Sequence, residues 1–200
     1  MAARTLLCAA LLAAITACSP SVPDAPYGEA LAASRARKDD MLRQAADSPV
    51  PAGARDTLLP LPYYSPDPAY RVPAALTPAD SARVVEMLTS TGQRRQVRVL
   101  GRLQFSIKSQ ALELTAFEEE GSNGQKLFVP FTDATSGSET YGAGRYLDLE
   151  RTATGIYILD FNTAYNPYCA YNPTYDCPVP PPQNKLAVPI HAGEKAPRGH

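Results

Sequence analysis

From Val97 the chain alternates. Val97, Val99, Leu103, Phe105 and Ile107 hold odd positions, with Arg98, Arg102, Gln104, Ser106 and Lys108 between them. A period of two is the mark of a strand with one face buried. Leu100 breaks the pattern, and Gly101 beside it predicts a bend or bulge. After a turn at Ser109-Gln110 the alternation resumes at Leu112, Leu114 and Ala116. Gly121-Ser122-Asn123-Gly124 makes the next turn, and Leu127, Val129 and Phe131 the next strand. Further strands are predicted at Tyr146 to Leu149, Gly155 to Phe161 and Leu186 to Ile190. The run Ile156-Tyr157-Ile158-Leu159 is apolar on both faces, as in a central strand. This hairpin rhythm predicts a mainly β fold, an antiparallel barrel or sandwich.

One helix precedes the strands. Asp24 is a candidate cap and Pro26 sits just inside the start, predicting a helix to about Ala46. Leu31, Ser34, Leu42 and Ala45 share one face. Arg35, Arg37, Lys38, Asp39, Asp40 and Arg43 make the rest polar, most simply a solvated face. From Asp47 to Pro78, prolines 49, 51, 60, 62, 66, 68 and 73 exclude a long helix. Leu58, Leu59, Leu61, Tyr63 and Tyr64 are expected as extended chain over an edge of the core.

The N-terminus is a targeting signal. Arg4 is followed by the apolar or small run Thr5 to Ala17. Thirteen residues of helix rise about 20 Å, short of a hydrocarbon core of about 30 Å. This reads as a cleaved secretory signal over residues 1–17. It ends in Ile15-Thr16-Ala17-Cys18, which resembles a bacterial lipobox. The expectation is a covalent lipid on Cys18, a linker over 18–26, one domain over 27–195 and a tail over 196–200. Ser19 after the lipidated residue resembles lipoproteins passed to the outer membrane, if the source has two membranes. An ordinary signal peptide with an incidental Cys18 is the other reading.

Composition narrows the chemistry. A net charge of −1 implies no polybasic surface for nucleic acid, and two histidines, His191 and His200, leave little for a His-rich metal site. No cofactor is expected beyond the lipid. Cys8 leaves with the signal and Cys18 takes the lipid, so Cys169 and Cys177 remain. In an exported chain these are expected as a disulfide, with two reduced thiols as the alternative.

Two segments carry the candidate chemistry. Phe131 to Asp148 holds Asp133, Thr135, Glu139 and Arg145 among Gly137, Gly142 and Gly144. Asp160 to Lys185 holds Asp160, Asn162, Tyr165, Asn166 and Asn172, with Tyr-Asn-Pro at 165–167 and again at 171–173. Arg145 suits an anionic group; the asparagines and Asp160 suit hydroxyls or amides. The bland alternative is a glycine-rich hairpin connection, with tyrosines packed over a sheet edge and asparagines capping turns. Asp133, Glu139, Asp148 and Asp160 could serve an enzyme as acid and base, with Thr135, Ser136 or Cys169 as nucleophile, but no motif fixes a pair. His191, near the chain's end, is a poor setting for a general base.

The stretches YGAGRYLDLE and YNPYCAYNPTYDCPVPPPQNK, with RKDDMLR, DSPVP and LPYYSPDPAYRV upstream, resemble a bacterial domain-of-unknown-function family. Many of its members are predicted lipoproteins. The resemblance covers roughly Tyr27 to Lys195. It implies a β-rich domain after an N-terminal helix and no established activity. Three readings stay open: an envelope module binding a small polar ligand or peptide; a structural or assembly lipoprotein whose strip from Leu58 to Tyr70 contacts another envelope protein; and a hydrolase using loop carboxylates.

Overall fold

The structure is a computed structural model and describes residues 25–119 and 124–199. The signal segment, Cys18, the linker up to Asp24 and the turn residues Gly121, Ser122 and Asn123 therefore lie outside the described residues. Helix α1 spans Ala25–Gln44, as the sequence implies. Its polar face is not simply solvated. Arg35 donates to the carbonyls of Tyr64 (3.0 Å) and Asn162 (3.1 Å), Lys38 bonds to Glu194, and Asp39 accepts from the Leu61 N–H at 3.0 Å. The charges dock the helix because the irregular chain beneath it presents backbone groups that need partners. Among the described residues, no helix is long and apolar enough to cross a membrane.

Six antiparallel strands follow: β1 Arg71–Leu88, β2 Arg94–Ile107, β3 Gln110–Glu119, β4 Lys126–Phe131, β5 Arg145–Glu150 and β6 Ile156–Asp160. Their order is β5-β4-β3-β2-β1-β6. β5 and β6 are consecutive in the chain yet stand at opposite ends of this order, so the sheet curls into a nearly closed barrel with its seam between them. Leu103, Phe105, Leu114, Phe131, Leu147, Leu159 and Phe161 fill the interior. The expected β-rich fold after one helix is what forms.

β1 was not foretold by the pattern, because Pro73 and Pro78 conceal it. Pro78 is tolerated at a bulge: the β1–β2 register jumps between Pro78 and Arg83 on one strand and between Gly101 and Val99 on the other. A bulge on the other side of β2 explains Leu100: against β3, Val99 opposes Phe117 and Gly101 opposes Ala116, so Leu100 is inserted. One inserted residue reverses the side to which later side chains point. Val97 and Val99 accordingly join an outer cluster with Met87, Phe117, Phe128 and Tyr146, while Leu100, Leu103 and Phe105 face the interior. Gly101 is required here: its φ is +154°, and a Cβ would lie 2.3 Å from the Thr77 carbonyl oxygen.

Three expectations are corrected. Leu186 to Ile190 is no strand; only a single bridge joins Lys185 to Thr132, because prolines flank the segment and its polar groups serve other partners. Asn184, fully buried, bonds instead to both backbone groups of Thr115 and to the Pro130 carbonyl, filling a gap where β3 and β4 diverge. The strip from Leu58 to Tyr70 is not an exposed contact: Leu58, Leu59 and Leu61 are buried with Leu42 and Tyr171, and Tyr70 joins the barrel core. Finally, β6 is not a central strand; Tyr157 and Leu159 point inward, but Ile156 is 50% and Ile158 47% exposed.

Gly101→Ala should cost about 2–4 kcal/mol, since strain and overpacking coincide. Gly28→Ala, in α1 with open space around it, should add about 0.5–1 kcal/mol. Urea unfolding of the two variants checks both signs.

Candidate functional site

The predicted loop residues come together, but as a buried staple. Asp133 follows β4 and Arg145 opens β5. Arg145 Nη2 donates to Asp133 Oδ2 at 2.8 Å, with both side chains fully buried. Thus the anion that Arg145 takes is the protein's own. The same guanidinium bonds to the carbonyls of Ile190 (3.0 Å), Ala192 and Glu194 (3.1 Å). Asp133 Oδ1 accepts from the Ile190 N–H (3.1 Å), the Thr135 N–H (2.8 Å) and the Thr135 hydroxyl (2.6 Å). Thr135 in turn meets Thr140. One ion pair therefore fixes two loops and the segment 190–194. That segment was expected beside a tail; Ile190, Ala192 and Glu194 are instead among the most buried residues.

The other candidates hold backbone. Asn162 bonds to both backbone groups of Asp67 (2.9 Å each) and to Asp160 Oδ1. Asp160 accepts from the Tyr27 hydroxyl at 2.7 Å. Tyr165 donates to Asp148 at 2.9 Å. Asn166 donates to the Lys195 carbonyl at 2.8 Å, and Asn172 closes a turn onto Thr174. Glu139 meets the Tyr64 hydroxyl (3.0 Å) and, at 3.3 Å, His191 at the surface. The four carboxylates considered for acid–base work thus each hold a separate partner. Cys169 and Cys177 are two free, buried thiols rather than the expected disulfide; the Cys169 N–H donates to Cys177 Sγ at 3.1 Å. Among the described residues, no three His, Cys, Asp or Glu side chains are grouped to hold a metal.

Sequence reasoning missed Glu194, whose carboxylate is 1% exposed as a residue and gathers Lys38, Tyr171 (2.7 Å), Tyr63 (3.5 Å) and the Asn166 N–H (2.8 Å). The apolar and small residues around it, Ile190, Ala192 and Gly193, were the available signal. Gly193, at φ +78°, presses on the carbonyls of Phe161 and Ala164, where a Cβ would lie 2.6–2.7 Å away. A cavity of about 160 Å³ opens beside this carboxylate, lined by Arg35, Lys38, Tyr63 and Tyr165.

A larger concavity lies elsewhere, at the β1–β2 bulge. It encloses about 650 Å³, within the usual range for small-molecule sites. Val85, Val99 and Phe117 form its apolar floor, Pro181 and Pro182 one wall, and Asp80, Arg83 and Arg102 its polar rim. Among the described residues, no hydrogen bond or ion pair engages the side chain of Arg83 or Asp80; Arg102 faces Glu113 at 3.7 Å on the surface. The β1–β2 ladder skips Ala79 to Ala82, leaving their backbone without a strand partner on that side. None of the sequence-predicted site residues lines this cleft. Alternation marked its floor only as strand.

A family model described as protein of unknown function (DUF1684) matches residues 57–195. Among solved structures, the chain is similar to the solution NMR structure of the uncharacterized protein from gene locus rrnAC0354 of Haloarcula marismortui. The two share 35% identity over 88% of this chain and 97% of that one, with a TM-score of 0.69. No curated protein matches the chain.

Burial, and then hydrogen bonding to a neighbour, pushes Tyr64 and Cys177 up to about 12; burial and the adjacent Cys169 do the same for Tyr141. Burial also raises Tyr63, Tyr146, Tyr165 and Tyr171. Because these folded values exceed the unfolded ones, unfolding releases protons above pH 9–10 and stability falls as pH rises. Calorimetry from pH 8 to 12 should show a melting temperature that declines steadily beyond pH 9. Phenolate absorbance at 295 nm should rise together with loss of the near-ultraviolet signal.

Proposed function

The chain belongs to the DUF1684 family of proteins of unknown function, and from that premise we propose that it is a lipid-anchored binding module of the cell envelope that takes peptide-like amphiphiles in the bulge cleft. The carrying observation is the cleft itself. An apolar floor of Val85, Val99 and Phe117 lies under charged groups that no side chain satisfies, Asp80 and Arg83, with Arg102 nearby. Binding sites combine apolar area with a few polar groups that set orientation. The bulge leaves Ala79 to Ala82 outside the β1–β2 register, a setting that suits the amide of a peptide-like ligand.

The barrel interior supports placing the ligand outside. It is filled by Leu103, Phe105, Leu114, Phe131 and Phe161, all nearly inaccessible, unlike barrels that hold a ligand within. The envelope location rests on the leader: Arg4, the short apolar run to Ala17, and the lipobox Ile15-Thr16-Ala17-Cys18. An acylated Cys18 would anchor the module. In that oxidising setting Cys169 and Cys177, already adjacent, would be open to pairing.

N-acetylphenylalanine carries an aromatic body, an amide and a carboxylate. Titrated at millimolar concentration, it should shift the amide NMR signals of Val99, Gly101 and Phe117. Replacing Arg83 and Arg102 together by alanine should weaken binding at least tenfold, because losing even one charge-assisted bond costs about 1.5–3 kcal/mol. Shifts confined to other surfaces, or affinity unchanged in the double variant, contradict this assignment.

A further inference from the structure

β6 is an edge strand with an apolar outer face. Ile156 and Ile158 are about half exposed, whereas Tyr157 and Leu159, which alternate with them, are buried. Directly opposed residues in an antiparallel pair share a face. Ile158 opposes Pro73 and Ile156 opposes Ala75, both exposed. These four residues therefore make one apolar outer patch on the β1–β6 ribbon. Arg71, two positions before Pro73 on the same side of β1, adds a guanidinium that faces Asp160 at 3.7 Å through Nε and keeps its side chain 51% exposed.

This patch lies where the chain enters the domain. Tyr27, in the first turn of α1, donates to Asp160 at 2.7 Å, and Arg71 stacks over the Tyr27 ring at 5.4 Å. Asp160 ends β6, two residues from Ile158. The start of α1 is thus pinned beside the patch. From Cys18 to Ala25 the chain takes only seven residue steps, which reach at most roughly 25 Å. A lipid on Cys18 would hold the bilayer within that reach of the patch.

We propose that the outer face of the β1–β6 ribbon, Pro73, Ala75, Ile156 and Ile158 with Arg71, is the surface that rests on the lipid bilayer. The proposal builds on the lipid-anchored reading of Cys18 and adds an orientation to it. Four modest side chains do not bind a membrane alone. Tethering turns their contact into an intramolecular one, in which a weak apolar surface suffices to select one orientation. The exposed part of the Arg71 guanidinium faces the anionic headgroups. The apolar residues seat at the headgroup boundary, as on other interfacial elements.

The chain has no tryptophan, so Ile158→Trp creates a single reporter at an exposed site. The full lipidated protein carrying it is reconstituted into phosphatidylethanolamine–phosphatidylglycerol vesicles with brominated acyl chains. Ile156→Trp serves as a second reporter and Leu88→Trp, exposed at the other end of β1, as the reference. The mass of the N-terminal peptide reports the lipid. With the lipid present, emission at 156 and 158 should be blue-shifted and quenched at least twofold more than at 88. Equal or weaker quenching at 156 and 158, with the lipid present, overturns the orientation but leaves the anchor standing. An unlipidated Cys18 in the natural host overturns both.

Discussion

The Asp133–Arg145 pair is the interaction on which the rest of the molecule depends. Two fully buried charges at 2.8 Å would be costly if left to each other, since removing each from water costs several kcal/mol. Here most of the remaining valences are met within the protein: the guanidinium bonds to three carbonyls through Nη1 and Nη2, leaving Nε without a partner, and the carboxylate accepts from two N–H groups and a hydroxyl. Hydrogen bonds to ionised groups are the strong ones, and inside a dry core they hold irregular chain in place where no ladder is available. The pair is thus a substitute for secondary structure. It ties the β4–β5 connection to the segment from Ile190 to Glu194, which has few regular partners of its own.

From that fixed segment the order spreads. Glu194 reaches Lys38 on α1, the Tyr171 hydroxyl and the Asn166 N–H, so the helix and the tyrosine-rich loop are set by one carboxylate. Asn162 and Asn184 act similarly, each satisfying both groups of a peptide from another part of the chain. With these polar residues consumed by the scaffold, the proposed ligand site falls to a concavity that the scaffold leaves open, at the bulge where β1 and β2 part. The apolar outer face at β6 is the complementary surface, left bare near the tether.

The barrel strands were legible in the sequence wherever one face is buried. Leu112, Leu114, Ala116 and Leu127, Val129, Phe131 all point inward as alternation requires. Leu100 was legible as an anomaly, and Gly101 as its cause. β1 was not, because Pro73 and Pro78 read as breakers while the bulge that accommodates Pro78 arises from pairing with β2. Ile156 and Ile158 misled for a different reason: apolar on both faces signifies burial only when something covers the outer one. The loop residues were correctly singled out as unusual. Their purpose was not legible, since Asp133 and Arg145 are twelve residues apart in the chain and their shared targets are some forty-five to sixty residues further on. No local pattern distinguishes an arginine awaiting a ligand from one already paired with a distant carboxylate. Glu194 escaped notice because a carboxylate near a chain end is ordinarily solvated.

Native-state hydrogen exchange at the Ile190 amide addresses the staple most directly, because that N–H is donated to Asp133 itself. If the buried pair anchors the segment, Ile190 exchanges only through global unfolding, with an opening free energy within about 1 kcal/mol of the slowest barrel amides. An Ile190 amide that opens locally, exchanging as readily as a surface turn such as Gly92 while Leu114 remains protected, would contradict the account.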